Sequence, residues 1–468
     1  MNINCNYFNK FKRSHIIQDV INIFNKTDSY YFSKKEFSLC GRIYRKRLMG
    51  QACFLELRDM SSKIQIYISH SNIKDYKTII NNITLGDIIG VKGLLFTTKS
   101  NELSLKAVSF YILAKNLKSF PDKQYGLLDK ELCYRHRYID LLVNAKSKKT
   151  FLFRSELIHQ IRKFFMKKKF IEVETPIMQN IIGGADAEPF KTYINCLNED
   201  LYFRISPELY LKKLIVGGFE KVFEIGKNFR NEGLSKKHHP EFTMIEFYEA
   251  YANYTDMMNL TEQLFKYLVN TLFNNQEIFY NNTRLNFTQN FTKINFFDAI
   301  IKYCDNISFE NLNNKELLLT VLIKNNIEIN TNWNINDLQC KIFDIFVEKN
   351  LITPTFILHH PLGISPLSKT TDYDSNIVER FELYICGKEI ANGFSELNNP
   401  YEQKLRFLEQ LNNKHDKSLQ LDDDYITSLE YALPPTGGEG IGIDRLTMLF
   451  TNSMSIKDVI LFPLMKNK

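Results

Sequence analysis

Residues 229–242 read F-R-N-E-G-L-S-K-K-H-H-P-E-F. Arg230 and Glu232 stand two apart at the end of an apolar run, a basic loop follows, and an aromatic run starts at Phe242. The flanks, K-V-F-E-I-G-K-N-F-R (221–230) and E-F-T-M-I-E-F-Y (241–248), have strand character, which predicts a hairpin. A period of two puts Phe242, Met244, Glu246 and Tyr248 on one face, and aligns Glu224, Gly226, Asn228 and Arg230 in the partner strand. Such a floor suits a nucleoside triphosphate. The arginine can bridge phosphate and carboxylate oxygens, the glutamate can take an amine, the loop bases face phosphates, and the Phe242 ring offers a flat face to a purine. The same residues also fit a hairpin with a polar outer face. No G-x-x-x-x-G-K-[ST] occurs, so ATP, if used, is not held by a P-loop.

Three further stretches add chemistry. In E-R-F-E-L-Y-I-C-G-K-E-I-A-N-G-F-S-E (379–396), Glu382 and Glu389 flank a turn at Gly387. Two carboxylates so placed suit Mg²⁺, which takes one or two carboxylates plus phosphate oxygens. Asn392, Phe394 and Glu396 share parity; Glu389 does not, so a bulge near Gly393 or a separate role is expected. An exposed acidic hairpin is the competing account. In G-E-G-I-G-I-D-R (438–445), alternate glycines bare one face of a strand to a planar ligand. Asp444 is then expected to cap the next helix, with Arg445 in its first turn, where the helix dipole disfavours it. In R-I-S-P-E-L-Y-L-K-K (204–213), Glu208 falls early in a helix, a place that needs no function to explain a carboxylate. Upstream, Gly183 and Gly184 let backbone approach a ligand.

The chain of 468 residues has room for two or three domains, and no stretch is apolar enough to span a membrane. Its eight cysteines form no C-x-x-C pair, which points away from zinc and disulfide frameworks and towards a reducing cytoplasm. A net charge of +7 permits nucleic-acid binding without requiring it. Residues 1–36 read as an N-terminal helical extension. Residues 37–114 carry about five short strands with turn signals, as in a five-stranded OB-fold barrel. Its Phe54, Arg58 and Gln65, with Arg42, Arg45, Lys46 and Arg47, suit single-stranded nucleic acid, although most barrel aromatics are core. Residues 115–144 read as a linker and 145–468 as an α+β domain of antiparallel strands and helices. Within it, 255–350 reads as a polar helical insertion.

Taken together, these segments resemble the class II aminoacyl-tRNA synthetases, most closely the bacterial lysine-type members. Three family motifs come in order: a helix and strand ending at Pro176, the F-R-N-E…H-x-P-E-F loop, and G-x-G-I-G-I-D-R. The lysine-type signature lies in G-G-A, P-E-L-Y-L-K and K-E-I-A-N-G-F-S-E-L-N. The resemblance implies a lysine–tRNA ligase that spends ATP to make lysyl-adenylate and pyrophosphate, then charges the 3′-terminal ribose of tRNA(Lys). It implies a cytoplasmic homodimer paired through the segment ending at Pro176, with Mg²⁺, more than one ion per site, held by Glu382 and Glu389. Arg230 and Arg445 would be catalytic and would bind ATP together with Glu232, His238 and Phe242. Gly184, Glu208, Glu246, Tyr248, Asn392, Phe394 and Glu396 would bind lysine, Glu396 receiving its ammonium. Phe54, Gln65 and Glu102 would read the anticodon. The chain departs from the family pattern at His239, where asparagine is expected, at Gly363, where an acid is expected, and in its short N-terminal extension.

Overall fold

The chain divides into two units, 1–126 and 127–468. The computed structural model describes residues 9–26, 34–120, 129–185, 187–273, 277–330, 332–413 and 421–467.

In the first unit, strands β1 (Glu36–Met49), β2 (Ala52–Arg58), β3 (Lys63–Ser69), β4 (Ile88–Thr97) and β5 (Leu103–Ala114) close a barrel in the order β1-β2-β3-β5-β4. Alternation does the work. Cys53, Leu55, Leu57, Ile64, Ile66 and Ile68 point inward and are almost fully buried, while Phe54, Glu56, Arg58, Gln65 and Tyr67 face outward. Of the extension read over 1–36, the described residues hold the helix Ile17–Lys26, at whose start the Asp59 carboxylate accepts the Ile17 N–H at 2.8 Å. The helix drops Ile17 and Val20 into the barrel core.

The second unit is built on an eight-stranded sheet. Its chain runs through β6 (Ile171–Glu172), β7 (Met178–Gln179), β8 (Lys191–Ile194), β9 (Glu199–Phe203), β10 (Lys221–Phe229), β11 (Glu241–Ala250), β12 (Glu277–Tyr280), β13 (Thr283–Asn286), β14 (Thr292–Asn295), β15 (Thr355–Leu358), β16 (Arg380–Tyr384), β17 (Glu389–Ser395) and β18 (Thr436–Gly442). The sheet order is β14-β15-β16-β17-β18-β11-β10-β6, with antiparallel pairs in the middle and parallel pairs at both edges. This is the expected α+β architecture.

Period two then sorts the faces. Ile245 and Phe247 of β11 join Ile441 of β18 in one core. Two helices cover that face. The helix Ala145–Lys167 buries Leu157, Ile161, Phe164 and Phe165 at helical spacing. The helix Tyr254–Phe273 contributes Met257, Leu264, Phe265 and Leu268. The opposite face of β11 is left for chemistry.

The stretch 255–350 is less uniform than its polar composition suggests. Its first helix is core, and 277–295 contains three strands, of which β14 joins the main sheet. The helical remainder, from Phe296 to Leu351, has its own core of Phe296, Ile300, Leu318, Leu322, Leu338, Ile342 and Phe343. The described part of 115–144 also folds, as helices Lys130–Arg135 and Arg137–Val143. Arg137, 2 % exposed, bonds to the carbonyls of Leu461 (2.9 Å) and Lys457 (2.8 Å), tying this pair to the C-terminal segment.

Phe165 is the pivot of the main core: its ring lies 4.7 Å from that of Phe247, 5.1 Å from Phe170 and 5.2 Å from Phe223. Phe165→Ala is expected to lower the unfolding free energy by about 3–5 kcal/mol, read as a drop in urea midpoint at unchanged slope.

Candidate active site

A cavity of about 480 Å³ opens over the free face of β11 and β18, within the usual range for a small-molecule site. The hairpin register builds its floor: Asn228 pairs with Phe242, and Arg230 N–H donates to the Pro240 carbonyl at 2.8 Å, closing the basic loop. Phe242, Met244, Glu246 and Tyr248 all border the cavity, as their shared parity requires. The partner strand behaves differently. Arg204, 2 % exposed, lays its guanidinium across Gly226 and bonds Glu224 at 2.5 Å, so of that strand's aligned set Arg230 alone reaches the cavity.

The hairpin β16–β17 supplies the facing wall. Its turn carries Cys386 and Gly387 at positive φ, and the register slips after Leu383, leaving Ile390 as the extra residue. This bulge lies three residues before Gly393, where the sequence placed it. It brings Glu389 onto the face that holds Asn392 and Phe394. Arg380 orients this wall. Its guanidinium donates to Asn392 Oδ1 (3.0 Å), Glu382 Oε1 (2.5 Å) and Ser365 Oγ (2.8 Å). Burial alone would push the Glu382 carboxyl up, but Arg380 and His360 hold it well below the usual carboxylate range.

Arg230 and Arg445 enter from different elements. Arg230 stacks its guanidinium over Phe242 at 5.2 Å, and its Nε is buried with no protein partner. Arg445, in the first turn of the helix Ile443–Phe450, bonds the Glu389 carbonyl (2.7 Å) and carboxylate (3.1 Å). Its Nη2 lies 3.3 Å from His238 Nε2. Burial and this arginine lower the His238 pKa, so the ring is neutral and Nε2 accepts. Asp444 does not cap that helix. Gly442 holds the cap position, and the Asp444 carboxylate accepts the Thr243 N–H (2.7 Å) and pairs with Arg154 (2.6 Å), tying the helix to β11.

The deepest part is acidic. Glu208 opens the helix Glu208–Val216 beside Gly184, whose φ of +83° suits glycine. Glu246 accepts Ser206 Oγ at 3.0 Å. Burial, then Glu208, raises the Glu246 carboxyl to about 8. Glu396 does not itself border the cavity; it stands behind Gly438 and Tyr248, 2 % exposed. A β-carbon on Gly438 would fall 2.1 Å from Glu396 Oε1 and 2.4 Å from the Tyr248 ring, so the bare glycine opens that space. Glu396 Oε1 is buried without a partner, while Oε2 accepts Lys212 Nζ at 2.7 Å. Lys212 was not anticipated, although it stands one turn after Glu208 and its ammonium also bonds Glu208 at 2.8 Å. An isolated pair would depress its carboxyl; here burial, with Glu208 and Glu246, outweighs one lysine and lifts Glu396.

Two of the three departures noted above, at His239 and Gly363, have local explanations. His239 is buried; its Nε2 accepts the Leu464 N–H at 2.9 Å, so it pins the C-terminal segment. At Gly363 any β-carbon would meet Asn336 Nδ2 at 2.1 Å, so the helix Ile335–Ile342 occupies the side-chain space.

On the barrel, the Phe54 ring packs 5.2 Å from Tyr67, which lies 5.7 Å from Phe96, forming an outward aromatic row. Gln65 donates to Ser104 Oγ at 2.9 Å beside it, and Glu102 is exposed ahead of β5. Two of the four bases on β1 serve the fold. Lys46 donates to the Ile80 and Ile83 carbonyls at the end of the helix Tyr76–Asn82, and Arg42 to that of Gly86. Arg45 remains exposed.

Residues 129–466 match the family model of the class II tRNA synthetases for D, K and N, and residues 37–113 match that of the OB-fold nucleic acid binding domain. The chain belongs to the class II tRNA synthetases. Curated relatives are close across nearly the whole length. The lysine–tRNA ligase of Wigglesworthia glossinidia brevipalpis is 52 % identical over 465 residues, 98 % of this chain and 94 % of that protein. That of Mannheimia succiniciproducens is 46 % identical, covering 98 % and 93 %. That of Buchnera aphidicola subsp. Schizaphis graminum is 48 % identical, covering 92 % and 87 %. No helix among the described residues of this synthetase is long and apolar enough to cross a membrane.

The raised Glu246 carboxyl has a consequence for stability. A carboxyl whose folded pKa exceeds its unfolded one stabilises the fold fully below the unfolded value, and that contribution is lost as pH rises through about 8. Glu246→Gln lacks this loss. Its unfolding free energy should therefore gain on the parent's between pH 6 and pH 9, as measured by urea titration in ligand-free buffer at each pH.

Proposed function

We propose that this chain is a lysine–tRNA ligase and that the cavity over β11 and β18 is where it activates the amino acid. The observation that carries the reading is the charge layout. One end of the cavity buries an unpartnered arginine donor, Arg230 Nε, and behind the other, past the bare Gly438, lies an unpartnered carboxylate oxygen, Glu396 Oε1. Buried polar groups are rarely left unpaired, and a ligand with a carboxylate at one end and an ammonium at the other answers both. Around the second end lie Glu208, Glu246 and Glu396 with one internal cation, Lys212. Lysine brings the α-ammonium and ε-ammonium that balance them. Gly184 and Asn392 flank the backbone of the ligand, and Phe394 and Tyr248 flank its methylenes. An aspartate-binding relative would need a cation where Glu396 stands.

ATP belongs to the other half. Phe242 offers a ring to adenine, with Glu232 and His238 on the rim and Arg445 on the phosphates. The lysine carboxylate attacks the α-phosphorus in line and pyrophosphate leaves. A terminal ribose hydroxyl of tRNA(Lys) then attacks the lysyl carbonyl and AMP leaves. Arg230 and Arg445 act by position and charge, and no side chain forms a bond to the substrate. Glu382 and Glu389 fit Mg²⁺: both are hard carboxylates on the cavity wall, and Glu382 stays ionised. Among the described residues no cluster of three or more His, Cys, Asp or Glu would hold a metal by itself, so phosphate oxygens and water must complete the shell. When bound, the ion neutralises phosphate charge.

The barrel reads the anticodon in this scheme: Phe54 stacks on a base while Gln65 and Glu102 meet base edges. Ile171, Ile177 and Met178 are exposed around Pro176, and we assign them to a two-fold interface with a second copy. The cytoplasm suits the work, since tRNA and ATP are there and thiols such as Cys53 and Cys304 stay reduced.

Amino-acid-dependent ATP–pyrophosphate exchange is the test. Lysine should support it and aspartate should not; the reverse would overturn the reading. Glu396→Gln should raise the lysine KM about a hundredfold or more with the ATP KM within about twofold, because it removes an ionic partner from one substrate only.

A further inference from the structure

The internal cation of the acidic pocket has no part in the chemistry described above, yet it is the most deeply buried charge there. Lys212 is 0 % exposed. Its ammonium is held between Glu208 (2.8 Å) and Glu396 (2.7 Å), with the Tyr425 ring 5.4 Å and the Phe394 ring 5.9 Å away. Burial would depress a lysine, but here the two carboxylates overturn it and keep Lys212 charged.

We propose that Lys212 is a specificity-determining positioning residue: by filling Oε2 of Glu396 it turns the unpartnered Oε1 toward Gly438 and the cavity, and it limits the acidic pocket to the positive charge that one lysine carries. The proposal rests on Glu396 as the acceptor of the substrate ammonium and adds what aims and neutralises that acceptor.

The geometry supports both parts. A carboxylate free at both oxygens can rotate; Glu396 is fixed through one, and the other faces the gap over Gly438. Lys212 reaches it from the helix Glu208–Val216, so the same residue ties Glu396 to the carboxylate beside Gly184. The groups facing Lys212 are Glu208 on its own helix, Glu396 after β17, Phe394 on β17 and Tyr425 on the helix Asp423–Glu430. Glu246 and Tyr248 on β11 stand around the acidic partners. Without the lysine cation, Glu396 would hold its proton to higher pH, and a substrate ammonium would have to displace it.

Lys212→Met and Lys212→Arg, in the full chain, test this by pyrophosphate exchange from pH 6 to pH 9.5, with folding checked by circular dichroism and urea titration. In Lys212→Met the pH above which the lysine KM levels off should rise by about one unit or more, with the ATP KM profile unmoved. Lys212→Arg keeps the charge. It should leave that pH in place and raise the lysine KM about fivefold or more, since a guanidinium cannot sit where an ammonium fits. A folded Lys212→Met with the parent's lysine profile overturns the proposal. If Lys212→Met does not fold, Lys212→Arg decides alone: an unchanged lysine KM, or equal rises for lysine and ATP, overturns it. Gly438→Ala separates the underlying reading, because its β-carbon meets Oε1, the oxygen of Glu396 that Lys212 does not bond. If neither Gly438→Ala nor Glu396→Gln raises the lysine KM, the acceptor assignment has failed. If both raise it while the Lys212 variants behave as the parent, the positioning role alone has failed.

Discussion

Glu208, Glu246 and Glu396 are buried together, and like charges so placed repel in a medium that screens them poorly. Stranding one buried charge costs about 3–5 kcal/mol, against a typical whole-domain stability of about 5–15 kcal/mol. Much of the second unit can be understood as the means by which the chain tolerates this. Lys212 neutralises part of the charge from within, Ser206 donates to Glu246, and Glu246 and Glu396 keep protons well above the ordinary carboxylate range. What remains is a demand for positive charge that a ligand satisfies. In the proposed reading affinity and specificity therefore have one origin, because a neutral side chain of the same length would leave Glu396 Oε1 unpaired.

The sheet makes that arrangement possible by dividing labour strictly between its faces. On β11 the apolar Ile245 and Phe247 go to the core and Glu246 and Tyr248 to the cavity. A one-residue slip would exchange them, so the phenylalanine cluster around Phe165 holds the site in register as well as holding the fold together. The hairpin β16–β17 needs one irregularity to do the same. Without the bulge at Ile390, Glu389 would face away from Asn392.

This division explains what could be read in the sequence. Parity in 241–248 is a local property, and the barrel strands alternate cleanly, so the α+β class, the barrel and the floor of the cavity followed from residue order. The position of the bulge did not, because Ile390 and Gly393 differ only in how they meet the neighbouring strand. Glu224 looked like a floor residue because strand parity cannot see Arg204 arriving from another segment. Asp444 looked like a cap for the same reason: its real partners, Thr243 and Arg154, are far away in the chain. Polar composition in 255–350 hid a core helix, since the helix Tyr254–Phe273 buries one stripe and leaves the rest to solvent. Lys212 was visible as E-x-x-x-K across one helical turn. That spacing ordinarily marks an exposed surface pair of small energetic value, and only burial distinguishes this one.

The basic loop at 229–242 answers a different question from the acidic pocket. Arg230 lies over Phe242 at the loop's base, and Arg445 reaches across from another helix to the carbonyl and carboxylate of Glu389. In the proposed reading these groups handle phosphate and carboxylate, which every amino acid and every ATP present alike, so they can be shared by enzymes of different specificity. The side-chain end cannot be shared. It is built from segments distant in sequence, 204–212, 246–248, 392–396, 425 and 438, each contributing one or two atoms. In the proposed reading, changing the amino acid recognised would mean replacing Glu396 and resettling Lys212, which would keep only Glu208 as its partner. Coupling of this kind makes the pocket resistant to single substitutions that would broaden it.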